Sequence, residues 1–144
     1  MSAVGTDTRR ARAQRLLAGD PSTREPGVEL VDATEEELVL RLPVGEQDAN
    51  GVGVCHGGVI YHLGDSCAGI AANCSGTGSW VTTTATVTYV APGRPGDVLT
   101  ARSRVRWDGG RSRLVDTEIT GPRGTVALMQ SQMLRLRTAE GEGQ

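Results

Sequence analysis

The chain contains no phenylalanine and no lysine, and only 3% of its 144 residues are aromatic. Tyr61, Trp80, Tyr89 and Trp107 are its only rings, so a pocket that relies on aromatic stacking has little to draw on. All fifteen basic residues are arginine, which reflects a GC-rich genome more than a binding surface. A formal net charge of −2 removes the electrostatic reason to expect nucleic acid or a membrane surface as partner. No apolar run approaches the about 20 residues that a membrane-spanning helix needs, and the first residues lack a secretory core. A soluble cytoplasmic protein is the expectation. The three cysteines, Cys55, Cys67 and Cys74, follow no metal-ligand spacing such as CxxC. Cys67 and Cys74 on one helix would stand about 10.5 Å apart, too far for a disulfide. Free thiols are expected, and neither a metal nor a bound cofactor is implied.

A chain of 144 residues suits a single core. Residues 8–18 read as a short, basic, loosely amphipathic helix stopped by Gly19, Asp20 and Pro21. Segments 27–33 and 36–43 alternate apolar with polar residues and suggest an antiparallel hairpin. From Val59 onward, Ile60, Leu63, Cys67, Ile70, Ala71 and Cys74 recur at three, four and seven, the stripe of a core-facing helix. Asn73, Ser75, Gly76 and Gly78 end it. Four strand candidates follow at 80–90, 97–107, 112–120 and 125–137, with PGRPG, DGGR and GPRG between them. These short connections predict meander pairing. The expected architecture is α+β, an antiparallel sheet curling round a buried central helix. It places an N-terminal extension at 1–26, the domain at 27–137 and a disordered tail at 138–144.

The chemistry concentrates in residues 50–65, NGVGVCHGGVIYHLGD. A helix that starts at Gly57 presents unpaired N–H groups and a positive dipole end, which stabilise an anion or a polarised carbonyl oxygen. Gly57 and Gly58 carry no Cβ, so a ligand could approach the main chain closely. Asp65 lies in the middle of an apolar helix with no cap to make. It reads either as a solvated aspartate on an exposed edge or as a functional carboxylate. Cys55 beside His56 could suggest a thiol nucleophile, but neighbours in an extended segment point to opposite sides.

Eight residues separate Gly57 from Asp65, roughly 12 Å along a helix axis. One chain's carboxylate therefore cannot reach a carbonyl held at its own Gly57. If both groups act on one carbonyl, two chains contribute, helix antiparallel to helix across a two-fold.

The pattern NxxxxxHGGxxxxLxD, read on Asn50, His56, Gly57, Gly58, Leu63 and Asp65, continues through Asn73 into TVTYVAPGRPGDVLTARSRV at 86–105. It resembles the hotdog-fold acyl-CoA thioesterases of the phenylacetyl-CoA thioesterase type, from about residue 27 to 137. The resemblance implies a hotdog fold and hydrolysis of an acyl-CoA thioester, arylacetyl or medium-chain, to a free acid and coenzyme A. It implies sites shared across a homodimer, with a homotetramer expected. On the matching positions, the Gly57 N–H would hold the thioester carbonyl, while His56 and Asn50 would orient the loop or contact the thioester. Asp65 of the partner chain would act as nucleophile or general base. Thr83 stands where related enzymes place a helpful hydroxyl, although β-propensity also explains a threonine there. Gly58 and Leu63, inside the pattern, are expected to contribute to substrate binding, as are Arg94, Arg111 and Arg113 towards the phosphates of coenzyme A. Tyr61 and His62 read as pocket lining or interface.

Two features depart from the family pattern. Gly64 replaces the usual alanine before Asp65, which would loosen the helix or open space beside the carboxylate. The lack of phenylalanine counts against a phenylacetyl group without touching the reaction class. Two other functions fit the same scaffold: a non-hydrolytic acyl-CoA-binding protein, and a hydratase or dehydratase, which needs a histidine with an acidic partner.

Overall fold

The computed structural model describes residues 2–24 and 26–137. The proposed tail at 138–144 lies outside the described residues. Helix α1 spans Ser2–Ala18 and leads through a 3₁₀ turn at Pro21–Thr23 to strands β1 (Glu29–Ala33) and β2 (Leu38–Pro43). Helix α2 spans Gly57–Cys74, followed by β3 (Trp80–Tyr89), β4 (Val98–Asp108), β5 (Ser112–Gly121) and β6 (Gly124–Arg135). The fold is the expected α+β hotdog, one antiparallel six-stranded sheet curved over α2.

The hydrophobic stripe of α2 faces that sheet. Leu63, Cys67 and Ala68 are fully buried, as are Leu40, Leu99, Ala101, Val115 and Ile119 of the strands beneath. Close approach needs Gly64, because a Cβ there would lie 2.7 Å from Met129 Sδ and 3.1 Å from Ile119 Cδ1. The expectation that Gly64 opens space beside Asp65 is thus corrected: the sheet occupies that space. Leu63 is likewise corrected from a substrate-binding residue to core, since its side chain is sealed from any ligand.

Strand pairing differs from a simple meander. The order is β1-β2-β4-β5-β6-β3, so β4, β5 and β6 follow one another while β3 pairs with β6 at the far edge. The cause is segment 90–97, whose two prolines, Pro92 and Pro95, cannot donate to a hairpin ladder. It crosses the end of the sheet instead. Val90 and Ala91 donate N–H to Val126 O at 2.7 and 3.2 Å, Cys55 donates to Gly93 O at 2.7 Å, and Gly96 donates to Val44 O at 2.8 Å.

Helix α1 begins earlier than the expected 8–18 and docks on α2 and β1. Ala13 and Leu17, one turn apart, bury its inner face, and its arginines reach the residues just past the end of α2. Arg9 Nη1 donates to Ser75 Oγ at 3.0 Å and Arg12 Nη1 to Gly76 O at 3.2 Å. Arg113 completes this end. It is 5% exposed, donates through Nη1 to Ala72 O at 2.6 Å and Ser75 O at 2.8 Å, and pairs with Asp108 at 3.1 Å. Its guanidinium also stacks 3.9 Å over the Trp80 ring. A cation here satisfies orphan carbonyls and opposes the helix dipole. Arg113 is therefore a structural residue rather than the phosphate ligand expected from the sequence. Among the described residues no helix is long and apolar enough to cross a membrane.

Arg113→Met keeps the stem but leaves Ala72 O and Ser75 O without this donor and Asp108 with only the Gly110 N–H. The expected loss is about 3 kcal/mol, read as a lower urea midpoint with an unchanged slope.

Candidate active site

The turn before α2 is held from within. Asn50 Oδ1 accepts the N–H groups of Val52 at 3.1 Å and Val54 at 3.2 Å, and Asn50 N–H donates to Val54 O at 2.8 Å. His56 N–H donates to Asp48 O at 2.7 Å. Asp48 is itself buried, with a carboxylate oxygen on Gly45 N–H at 2.8 Å. The loop thus delivers His56 to the N-cap position in extended conformation, φ −61° and ψ 136°.

His56 then caps the helix. Its Nδ1 accepts from Gly58 N–H at 2.9 Å, and its carbonyl accepts from Val59 at 3.0 Å and Ile60 at 3.3 Å. The orphan N–H groups of Gly58 and Val59 are satisfied in this way and that of His56 by Asp48 O, while Ile60 makes the first regular bond of the helix. Of the four N–H groups at this helix start only that of Gly57 keeps no partner among the described residues, at the positive end of the 18-residue helix. Gly58 is corrected accordingly, since its N–H belongs to His56. As Nδ1 accepts, the neutral imidazole carries its proton on Nε2, a donor available to a ligand oxygen.

The two glycines do not leave open space on the sides a Cβ would occupy. At Gly57 a Cβ would stand 3.2 Å from Tyr89 Cζ and Oη, and at Gly58 3.2 Å from His56 Nδ1. The Tyr89 hydroxyl donates to Gly57 O at 2.9 Å. The expected open approach is thus narrowed to the flank that Tyr89 leaves free. Gly57, Tyr61 and Asp65 recur every four residues along α2 and so share a face. Burial, then the Asp65 and Tyr89 charges, raise the Tyr61 hydroxyl above its ordinary pKa.

Asp65 is half-buried and accepts the Thr82 hydroxyl through Oδ1 at 2.9 Å. It is neither a fully solvated edge residue nor an isolated buried charge. Within the chain the hydroxyl on Asp65 belongs to Thr82, not Thr83. The register of β3 against β6 slips between Thr82 and Thr84, and this bulge turns the Thr83 hydroxyl to Gln132 O at 3.2 Å. Threonine periodicity could not reveal the slip.

Asp65 lines a cavity of about 440 Å³ whose wall includes neither Asn50 nor His56 nor Gly57. The Gly57 N–H and the Asp65 carboxylate thus stand apart within one chain, as the continuous helix between them requires. Arg94 borders a different cavity of about 230 Å³ with Arg123 and Asp97. Arg123, paired with Asp97 at 2.5 Å, holds the Asp97 carboxyl below its ordinary pKa. Arg94 and the exposed Arg111 stand before and after the eleven residues of β4, roughly 36 Å of strand. They do not form one cluster within the chain. Among the described residues no group of three or more His, Cys, Asp or Glu side chains could hold a metal.

Residues 52–127 match the thioesterase superfamily. The acyl-coenzyme A thioesterase PaaI of Escherichia coli K12 is 30% identical over 125 residues, 86% of this chain and 89% of that protein. The solved structure of the E. coli PaaI protein from the phenylacetic acid degradation operon superposes with a TM-score of 0.87 at 28% identity, covering 92% of this chain and 96% of that one. The smu.793 protein of Streptococcus mutans UA159 bound to acetyl CoA gives 0.72 at 25% identity, over 76% and 88% of the two chains.

The cysteines stand apart from this chemistry. All three are buried and free. Burial, with Asp48 and Asp97 adding to it, pushes the Cys55 thiol up to about 11, and burial pushes Cys67 up to about 12. The folded protein holds these protons, while the unfolded chain releases them near 9.0. Their contribution to stability is therefore complete below that pH and is lost as pH rises towards 11. The urea midpoint should fall between pH 8 and pH 10.5, and a thiol-exchange reagent at pH 8 should label the cysteines only as the chain unfolds. Rapid labelling of the native protein at pH 8 would contradict this assignment.

Proposed function

The chain belongs to the thioesterase superfamily and is a thioester hydrolase of the PaaI type and hotdog fold; from that premise we propose that it hydrolyses acyl-CoA thioesters in two sites shared by a pair of chains. The observation that carries the reading is the single unpartnered N–H at Gly57 combined with a carboxylate two turns further along the same helix. One thioester carbonyl oxygen accepts from Gly57 N–H of one chain, where the helix dipole stabilises the negative charge that develops in the tetrahedral transition state. The His56 Nε2–H supplies a second donor on the same turn. Asp65 of the other chain either deprotonates a water that attacks the carbonyl carbon and returns that proton to the departing sulfur, or attacks the carbon itself, expelling the coenzyme A thiolate and leaving an acyl-aspartyl anhydride that water then hydrolyses to the free acid.

Three observations support two chains. Helix α2 is continuous from Gly57 to Cys74, which keeps its own Gly57 and Asp65 roughly 12 Å apart. The Asp65 cavity excludes the Gly57 turn. Strand β3 ends the sheet with ten residues whose outer backbone edge is unpaired, and such an edge invites a second copy. Pairing along β3 sets the two α2 helices antiparallel and brings each Asp65 towards the other chain's Gly57. The match to a structure bound to acetyl CoA favours coenzyme A as the leaving group. A hydratase is disfavoured because neither histidine has an acidic partner: His56 bonds Gly58 N–H and His62 bonds Ser22 O. An acyl-CoA-binding protein would bind the same ligands without thiol release.

Asp65→Asn should lower kcat by at least a thousandfold in a thiol-release assay over arylacetyl, hydroxybenzoyl and straight-chain acyl-CoAs while preserving the fold. Retained turnover would remove Asp65 from the mechanism. Thr82→Val deletes a hydrogen bond of about 1 kcal/mol and should cost about fivefold in kcat, with Thr82→Ser restoring it. Sharing is tested with Gly57→Pro, which deletes the N–H. His56 already holds the extended conformation that precedes proline, and proline suits the first helical position. Mixed with Asp65→Asn and co-refolded, it should form heterodimers with one intact site of the two, about half of wild-type activity, so that a statistical mixture with half its dimers mixed regains about a quarter. No recovery from two folded variants would place each site within one chain.

A further inference from the structure

The cavity at Asp65 lies between α1, α2 and β3. On α2 its wall is a single stripe, His62, Asp65, Ser66, Gly69 and Asn73, recurring at three and four residues. Gly69 is unexpected there. A glycine in a helix interior lowers helix propensity, and nothing in the packing calls for one, because a Cβ at Gly69 would meet no atom within 4 Å. Gly64 on the opposite face has the reverse character, with the sheet pressed against it. The missing side chain at Gly69 leaves a volume beside the carboxylate that the folded chain does not use.

The far wall comes from the N-terminal segment. Leu16 of α1 faces the cavity, followed by Asp20 and Ser22 of the 3₁₀ turn. This wall is fixed in three ways. Ala13 and Leu17 anchor α1 in the core, the buried Thr23 hydroxyl donates to Asp20 O at 2.8 Å, and His62 Nε2 meets Ser22 O at 3.2 Å. Trp80, held by Arg113 and by an Nε1–H bond to Thr77 O at 3.2 Å, closes the floor with Ile70. The lining thus sets an apolar surface of Leu16, Ile70, Trp80 and Val81 beside the polar groups of Asp20, Ser22 and His62. A volume of about 440 Å³ falls at the low end of small-molecule pockets.

We propose that this cavity is the acyl pocket, that Gly69 and Leu16 are its specificity-determining residues, and that the N-terminal segment is the wall that limits acyl size. The inference rests on the assignment of Asp65 as the reacting carboxylate. The carbonyl sits at the cavity mouth on Gly57 of the partner subunit. The acyl group runs inward past Gly69 towards Leu16, and the coenzyme leaves in the opposite direction. The substrate class is a compact apolar acyl group, aryl or up to medium chain, and a palmitoyl chain is excluded.

The test is kcat/KM for acetyl-, hexanoyl-, phenylacetyl- and palmitoyl-CoA with the wild type, Gly69→Leu, Leu16→Trp and Leu16→Ala. Gly69→Leu fills the pocket from the helix side and Leu16→Trp from the wall. Each should lower the ratio of hexanoyl to acetyl kcat/KM at least tenfold. Leu16→Ala should raise the relative rate on longer chains. Gly69→Leu should also raise Tm, since it removes a helix glycine into open space. Should Gly69→Leu not fold, the two Leu16 variants carry the test, because Leu16 is only half-buried. Unchanged ratios in every folded variant would overturn the pocket. If the wild type hydrolyses none of the four, the thioesterase reading fails instead. The pocket is then judged by calorimetric Kd for the same ligands: selective weakening of hexanoyl- and phenylacetyl-CoA by Gly69→Leu supports it, and uniform Kd values refute it.

Discussion

A buried helix must find partners for the backbone groups at its two ends, and the rest of this structure follows from how α2 does so. At the C-terminus three arginines from separate parts of the chain, Arg9, Arg12 and Arg113, supply donors to Ala72, Ser75 and Gly76. At the N-terminus a single residue, His56, satisfies three N–H groups with its ring nitrogen and its carbonyl. The first N–H remains. The way the helix start is capped thus leaves one donor at the positive end of the dipole, the arrangement that generally favours an acceptor oxygen.

The same two ends explain the topology around the site. Segment 90–97 cannot close a hairpin because of its prolines, so it crosses the sheet and supplies Gly93 O to Cys55 N–H immediately before the cap. That detour has a second effect: β3 is released from β4 and becomes the edge, carrying Tyr89 at its end against Gly57. One strand therefore bounds the turn before α2 through Tyr89, supports Asp65 through Thr82, and ends the sheet with an open ladder. A change in the register of β3 would disturb all three together.

Much of this was legible in the sequence because burial and period leave a strong mark. The stripe Ile60, Leu63, Cys67, Ile70, Ala71, Cys74 is buried as its spacing requires, and the HGG turn does start the helix. What escaped depends on which elements become neighbours, which periodicity does not encode. Meander pairing failed at β3 because short connections do not reveal a crossing. A one-residue bulge exchanged Thr83 for Thr82 at Asp65, since a slip of one residue reverses the face of a strand. Arg113 looked like a loop arginine because its partners, Ala72 and Ser75, lie about forty positions away in sequence. Glycines were the most ambiguous letters. Gly57, Gly58, Gly64 and Gly69 lie within thirteen residues of one another, yet they meet a tyrosine, a histidine, the sheet and empty space respectively.

That contrast bears on how such a site can change. Gly64 is fixed by contact, because anything larger would push α2 off Met129 and Ile119. Gly57 is constrained on one side by Tyr89 and on the other by the N–H that must stay reachable. A Cβ at Gly69 would meet nothing within 4 Å, and Leu16 lies on a helix whose anchorage is carried by Ala13 and Leu17. The residues free to vary without unfolding the protein are thus the ones that shape the space beside Asp65, while those that hold the charge and the donor are also held by the core. Gly69 and Leu16 can therefore vary at little cost to stability, whereas a change at Gly57 or Asp65 disturbs the contact with Tyr89 or with Thr82 of the edge strand.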